Sequence, residues 1–351
     1  MATASPSVTT EKQDGQEYQV LREPATGSEV WTIPSVGVNT VSFRSEVEGQ
    51  SLEIIRFPES FEAFVGRPTY WGAATLFPFP GRIRDGKFRF AGREYQLPLN
   101  ENNRTAIHGC VAREAWTFVS SSADENGAAV TYRIGMDTHP HLNECYPFPF
   151  RLTLTLHLKN GRLHHHYLAE NLGDRPMPIG LGLHPYFPLP FGTTGSVDDC
   201  EIWIDAPFFW EQDQGFPVGA PRPASESLDL RTPRSLRALA SVGIGGANKI
   251  LNLLHSQFSG RQGPAPAPGG IRAGVRNPHA RREAVVEADA AFPACVSFIP
   301  APRDKVSFEP HTCTPNAFNR TNEGLVSGTI TLGPREFWRG SIQIYARAID
   351  I

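Results

Sequence analysis

The sequence has no Cys-x-x-Cys pair. Its five cysteines (Cys110, Cys145, Cys200, Cys295 and Cys313) are odd in number and scattered. That argues against a disulfide framework and against a thiolate zinc site. No apolar run approaches the ~20 residues of a membrane-spanning helix. The opening stretch, residues 1–16, is small and polar with no apolar core, so a secretory leader is not expected. Net charge is nearly absent: the formal charge is -3 and the pI about 6.4. No basic face of the kind that binds nucleic acid is visible. Helical periodicity is scarce; its best stretch, Arg234 to Ala240, is short. There is no repeat at fixed period. The expectation is a soluble protein of a reducing compartment, the cytoplasm, with no nucleic-acid or membrane partner.

What is present is alternation. In Arg151-Leu152-Thr153-Leu154-Thr155-Leu156-His157-Leu158 every second residue is Leu, the mark of a half-buried strand. Asn160-Gly161 follows, a strong hairpin-turn signal, and Arg162 to Ala169 returns as the partner. Phe88 to Leu97, with Ala91-Gly92 at its centre, reads as a second hairpin. Val130 to Met136, Glu201 to Ile204, Ala284 to Glu287, Ala294 to Ile299 and Ser341 to Ala346 read as further strands. The 32 Gly and 31 Pro supply turns throughout. With 351 residues, 40% of them hydrophobic, the chain can bury a large core as one big β domain or two smaller ones. The predicted fold is all-β, a large antiparallel β-sandwich with few short helices. Residues 1–16 are expected to be a disordered tail. Residues 17–351 are expected to be a single domain, with the Pro/Gly/Ala-rich stretch 259–270 as a loop within it.

Four stretches hold polar groups in apolar or Pro/Gly-rich settings. Phe77-Pro78-Phe79-Pro80-Gly81-Arg82-Ile83 aims Arg82 from a rigid turn, where its guanidinium can meet a ligand oxygen. Ile107-His108-Gly109 puts a glycine beside a histidine. Gly182-Leu183-His184-Pro185-Tyr186-Phe187 sets His184 between an apolar run and two aromatics, surroundings that move an imidazole pKa. Val306-Ser307-Phe308-Glu309-Pro310-His311-Thr312 carries Glu309, a carboxylate on an apolar strand-like run and the other kind of group that acid–base chemistry needs. Read one by one, Arg82 and His108 are more simply a surface arginine and a loop histidine. The run His164-His165-His166 offers a sharper alternative: with Glu170 and His184 it has a cupin-like metal spacing. The glycine positions of that motif fail around Glu170 and the second half is off by one residue. The bland reading is therefore preferred, the polar face of a hairpin with His164 and His166 pointing one way and His165 the other. His139-Pro140-His141 reads as a structural turn.

Taken in order, FPGRI, a hairpin, IHG with Trp116 a few residues on, YPFPFRLTLTL, MPIGLGLHPYF and VSFEPHTCTPNAFN resemble the aldose 1-epimerase (galactose mutarotase) family. The resemblance runs from about residue 40 to the C-terminus. It implies a large antiparallel β-sandwich, independently of the alternation above. It also implies an isomerase that interconverts the anomers of a free hexose and needs no metal or organic cofactor. Glu309 matches the general base and His184 the general acid. Arg82 and His108 match residues that bind the sugar. Work at neutral pH would then want the His184 pKa raised, with Glu309 as the cause. Two positions depart from the family pattern: Gly81 stands where Asn is common, and Asn248 is the loose counterpart of an Asp that holds a sugar hydroxyl. Two alternatives stay open, a hexose-6-phosphate 1-epimerase and a non-catalytic sugar-binding protein. The first wants a basic cluster, for which Arg82, Arg84 and Arg104 are candidates. Aromatics such as Tyr186, Trp203, Phe208, Phe209 and Trp210 are stacking candidates, and plain core residues otherwise. Monomer and homodimer both remain open.

Overall fold

The computed structural model describes residues 5–192, 194–246, 250–257 and 269–349. Most of them form antiparallel strands, and the described α-helices are four and short. Two large sheets, of twelve and nine strands, face each other. One apolar cluster drawn from both fills the space between them. The strand Phe150–Lys159 shows how alternation makes this layer. Its burial alternates strictly along ten residues, and Leu152, Leu154, Leu156 and Leu158 are wholly buried. Each such leucine is worth about 2 kcal/mol in apolar burial. The intervening Thr153 and Thr155 face away. The hairpin to Arg162–Asn171 turns at Asn160 and Gly161, both at positive φ. The all-β sandwich read from the alternation is the fold observed.

The tail expected to be disordered is different. Ser7–Gln13 is a strand that pairs with Gln16–Glu23 from Ser7↔Arg22 to Gln13↔Gln16. It buries little, so burial does not explain it. Its turn is Asp14-Gly15, both at positive φ, a sequence suited to a two-residue hairpin. Arg22 then ties the strand down by hydrogen bonds to Thr9 and Glu11. Ladder bonds and one guanidinium replace the missing apolar surface. Most of the Pro/Gly/Ala stretch lies outside the described residues, as does Asn248. Among the described residues no helix is long and apolar enough to cross a membrane.

Two strands at the centre of the twelve-stranded sheet position the site. Gly182–Pro188 and Lys305–His311 are buried along their whole length. Leu183 and Phe187 on the first, and Val306 and Phe308 on the second, point into the inter-sheet core. The period of two therefore turns His184 and Tyr186, and Ser307, Glu309 and His311, to the opposite face. The register sets Gly182 opposite His311 and Tyr186 opposite Ser307. His184 and Glu309 are thereby bracketed between those pairs.

Candidate functional site

That opposite face forms the floor of a cavity of about 240 Å³, lined by Arg82, His108, His184 and Glu309 among others. All four residues singled out from the sequence meet there, although they are up to 227 positions apart in the chain.

Glu309 is only 3% exposed and His184 only 5%. His184 Nε2 lies 3.2 Å from Glu309 Oε1. The other carboxylate oxygen, Oε2, accepts a hydrogen bond of 3.2 Å from His311 Nε2. Burial would raise the Glu309 carboxyl, but the neighbouring His184 and the bond from His311 overcome it and hold the group down at about 2. It is a carboxylate at any ordinary pH. For His184 the balance runs the other way from the expectation. Burial pushes the imidazole below its ordinary value and outweighs the pull of Glu309. The resting site is a carboxylate beside a neutral imidazole.

Ser307 completes the setting of His184, with its Oγ 2.9 Å from Nδ1. A hydroxyl can donate to Nδ1 of the neutral ring or accept from Nδ1–H of the imidazolium, so it serves both states. The Tyr186 ring stacks on His184 at 4.8 Å and 25°, fixing the plane of the imidazole. Gly182 makes room for His311: a Cβ there would meet the His311 ring at 2.5 Å.

His108 sits at positive φ with its ring 5.4 Å from His184. The Gly81 N–H donates to His108 Nδ1 at 3.3 Å, and His108 N–H donates to Gly81 O at 2.9 Å. Nε2 therefore carries the ring proton. Burial, and then the nearby His184, keep this imidazole well below its ordinary pKa. It is a neutral donor suited to a hydroxyl. Backbone shape and space account for Gly81. Its φ is +64°, and a Cβ would lie 2.9 Å from Pro315 Cγ, so a larger residue requires Pro315 to shift.

Arg82 does not present a free fork. Its Nε and Nη2 donate to both oxygens of Glu101, each at 2.6 Å. Thr105 Oγ1 donates to Glu101 Oε2 at 2.6 Å as well. Burial opposes ionisation of Glu101, and the bonds from Arg82 and Thr105 reverse that and lower its pKa. The guanidinium reaches the cavity as half of a rigid ion pair. Glu101, His311 and Ser307 are the site residues that sequence reasoning missed as participants. For Ser307 and His311 the signal existed, since they alternate with core residues on the strand that carries Glu309. Glu101 lies in a polar turn and had none.

Of the aromatic candidates Tyr186 lines the cavity. Trp203 instead packs with Val285 and Tyr345 and donates to Glu283. Trp210 is buried with Leu254 and bonds Ser256. Gln212 and Asn252 bring amides to the cavity wall. The cupin-like set does not assemble. Glu170 pairs with Arg151 in the nine-stranded sheet, and His184 belongs to the other sheet. Among the described residues no group of three His, Cys, Asp or Glu is arranged to hold a metal ion.

The family model for aldose 1-epimerase matches residues 24–345. The chain belongs to the aldose 1-epimerase family. Among curated proteins it is 27% identical over 249 residues to YihR of Escherichia coli, a protein described as uncharacterised, covering 70% of each chain. It is 26% identical over 191 residues to human galactose mutarotase, covering 54% of this chain and 53% of that one. The chain thus spans about half the length of that mutarotase. Among solved structures, a galactose mutarotase-like protein from Clostridium acetobutylicum superposes with a TM-score of 0.81 at 24% identity, covering 98% of this chain and 99% of the other. Galactose 1-epimerase from Lactobacillus acidophilus gives 0.73 at 20% identity, covering 98% and 100%. These structural likenesses establish the fold.

Proposed function

We propose that this member of the aldose 1-epimerase family interconverts the α and β anomers of a free hexose by opening and reclosing the ring. The observation that carries the reading is the buried Glu309 carboxylate 3.2 Å from His184 Nε2 on the floor of a cavity of monosaccharide scale. Mutarotation takes one proton from the anomeric hydroxyl and places one on the ring oxygen. It needs a base and an acid and no electron sink. Glu309, ionised and held between His184 and His311, is the base. His184 is the acid in its protonated form, with Ser307 Oγ accepting from Nδ1–H. When Glu309 takes the hydroxyl proton and His184 gives its own to the ring oxygen, the C1–O5 bond breaks and an open-chain aldehyde forms. Rotation about C1–C2 presents the other face, and the reverse transfers close the ring. His108 Nε2–H and the Arg82–Glu101 pair hold sugar hydroxyls.

A pure sugar binder has no use for a buried carboxylate set against an imidazole, because burying ionisable groups costs stability unless they are paired. The test is polarimetry on freshly dissolved α-D-glucose and α-D-galactose. Wild type should accelerate the approach to equilibrium, and Glu309→Gln and His184→Asn should each lose the acceleration. A folded wild type that accelerates neither sugar would reject the reading for free hexoses.

A further inference from the structure

The proposed mechanism leaves unused one buried charge on the strand that carries Glu309. Lys305 opens Lys305–His311, and the period of two puts it on the same face as Ser307, Glu309 and His311. It is 6% exposed, and among the described residues it forms no ion pair. It does not line the cavity. An unpaired buried ammonium is costly, so something other than a carboxylate must hold it. Its Nζ lies 3.6 Å from the centre of the Trp71 ring, 4.0 Å from that of Tyr70 and 5.0 Å from that of Tyr186. Three rings stand where a counter-ion would. Burial lowers the ammonium to about 8, with Asp304 and Glu59 acting against that shift and Arg67 and Arg56 with it. Below that value Lys305 is charged.

The three rings are fixed by their own backbone. Tyr70 and Trp71 stand at a corner that the wholly buried Asn39 fastens. The Asn39 amide donates to the carbonyls of Pro68 at 2.8 Å and Trp71 at 3.1 Å, and its oxygen accepts from Ala73 N–H at 2.8 Å. The Gly72 carbonyl at that corner accepts from Tyr186 N–H at 2.8 Å. Tyr186 is the wall that this cage shares with the site. It lies 5.6 Å from Tyr70 on one side, and it stacks on the His184 ring at 4.8 Å and 25°. Through Tyr186 the ammonium is within about 10 Å of the imidazole centre, a range at which a unit charge still acts across a protein interior.

We propose that Lys305 is a positioning residue for the epimerase reaction. Its ammonium gathers Tyr70, Trp71 and Tyr186 around itself, fixes the ring against which His184 lies, and stands as a positive charge behind that imidazole. The inference rests on the epimerase reading and adds to it a residue that touches no sugar. The other groups facing His184 are Glu309, His311 and His108 at the cavity and Ser307 at Nδ1. Burial disfavours the imidazolium most, Glu309 favours it, and His311 and Lys305 both disfavour it. A positive charge behind an acid makes its proton easier to give up. Protonation of the ring oxygen is the step that gains.

The test is a side-chain NMR titration of His184 in wild type, Lys305→Met and Lys305→Arg, beside kcat/KM for glucose anomer exchange over the same pH series. Lys305→Met keeps the length of the side chain and removes its charge. It should raise the His184 midpoint by about half a pH unit, the scale of a unit charge at this distance. The alkaline limb of kcat/KM should move up by the same amount. Lys305→Arg keeps a cation that can lie on the rings, and it should return both readings close to wild type. One His184 midpoint in all three proteins would overturn the proposal. An equal shift in both variants would overturn it too, since packing and not charge would then be the cause. If Lys305→Met does not fold, wild type decides by itself. As Lys305 loses its proton, the ring signals of Trp71, Tyr186 and His184 should move together, and a His184 signal that stays while Trp71 moves breaks the link. If wild type turns over no sugar, the epimerase reading falls. The NMR midpoints then still decide whether Lys305 acts on His184.

Discussion

The molecule holds two trios of histidine, one at the cavity and one on the nine-stranded sheet, and they behave in opposite ways. His108, His184 and His311 come from three separate stretches and converge on Glu309 in a buried cavity. His157, His164 and His166 lie side by side on the Phe150–Lys159 and Arg162–Asn171 strands, with ring centres 5.7 to 6.4 Å apart. The second trio is the one a reader of the sequence notices first. It has no carboxylate at its centre, and its rings are partly open to solvent. What separates the trios is a buried charge for the imidazoles to serve. Three close imidazoles without such a charge only repel each other's protons: burial and the neighbouring histidines lower His164 to about 4.

The largest expected effect removes the feature that makes the first trio different. Glu309→Gln keeps the shape and deletes the proposed base. It should cost kcat roughly 10²–10⁴-fold, the usual worth of a positioned acid or base. A loss under tenfold in hexose mutarotation would make Glu309 a binding group and the two trios alike. The next effect is of pH. As the proposed acid His184 must be protonated, and burial holds its pKa below the ordinary 6.5. Its active form is therefore lost as pH rises through that lowered value. Glu309, ionised above about 2, imposes no limit in the same window. The expected kcat/KM falls about tenfold per pH unit on the alkaline side of a midpoint below 6.5. A midpoint above 6.5 in a pH–rate series would show that Glu309 dominates over burial.

Much of this was legible before any coordinates. Alternation at Leu152, Leu154, Leu156 and Leu158 defines the sandwich because its period is set by the pleat itself. His184 and Glu309 were legible because a titratable residue inside an apolar, proline-flanked run stands out. The hairpin at Ser7–Glu23 was not, because the composition of that stretch hides a turn dipeptide and an arginine on the returning strand. Glu101 was not, because a partner met through a loop leaves no periodic trace. The sign of the His184 shift depends on the depth of burial against the nearness of one charge, and spacing carries neither quantity.

A smaller effect tests how the first trio is held. His311 binds the carboxylate oxygen that His184 does not. His311→Gln keeps a donor of similar reach but not the imidazole, and His311→Ala keeps nothing. Loss of that hydrogen bond should raise the Glu309 pKa and move the acid limb of kcat/KM to higher pH, further for Ala than for Gln, with kcat down about tenfold at most. Ser307→Ala removes the acceptor that the imidazolium needs at Nδ1. It should move the alkaline limb to still lower pH. If neither limb moves in either variant, His311 and Ser307 are packing residues and the trio reduces to a pair.

The smallest effect on activity belongs to the second trio and appears in stability instead. Replacing His157, His164 and His166 together by Gln should leave hexose mutarotation within about twofold, since they lie on the opposite sheet from the cavity. Stability should respond to acid. His164 and His166 have folded pKa values below the ordinary value, burial being the first cause for both. The unfolded chain therefore binds more protons than the folded one as pH falls from 6.5 toward 4, and the fold loses stability across that window. His165, on the same run but turned inward and 1% exposed, adds to the loss, with burial lowering it to about 3. The triple variant retains His165 and lacks the other two, so its Tm should drop less between pH 7.5 and pH 4.5 than that of wild type. An equal drop would mean that the trio takes up its protons in the folded state as readily as in the unfolded chain. Proximity would then cost it nothing, and the contrast with the carboxylate-centred trio would rest on position alone.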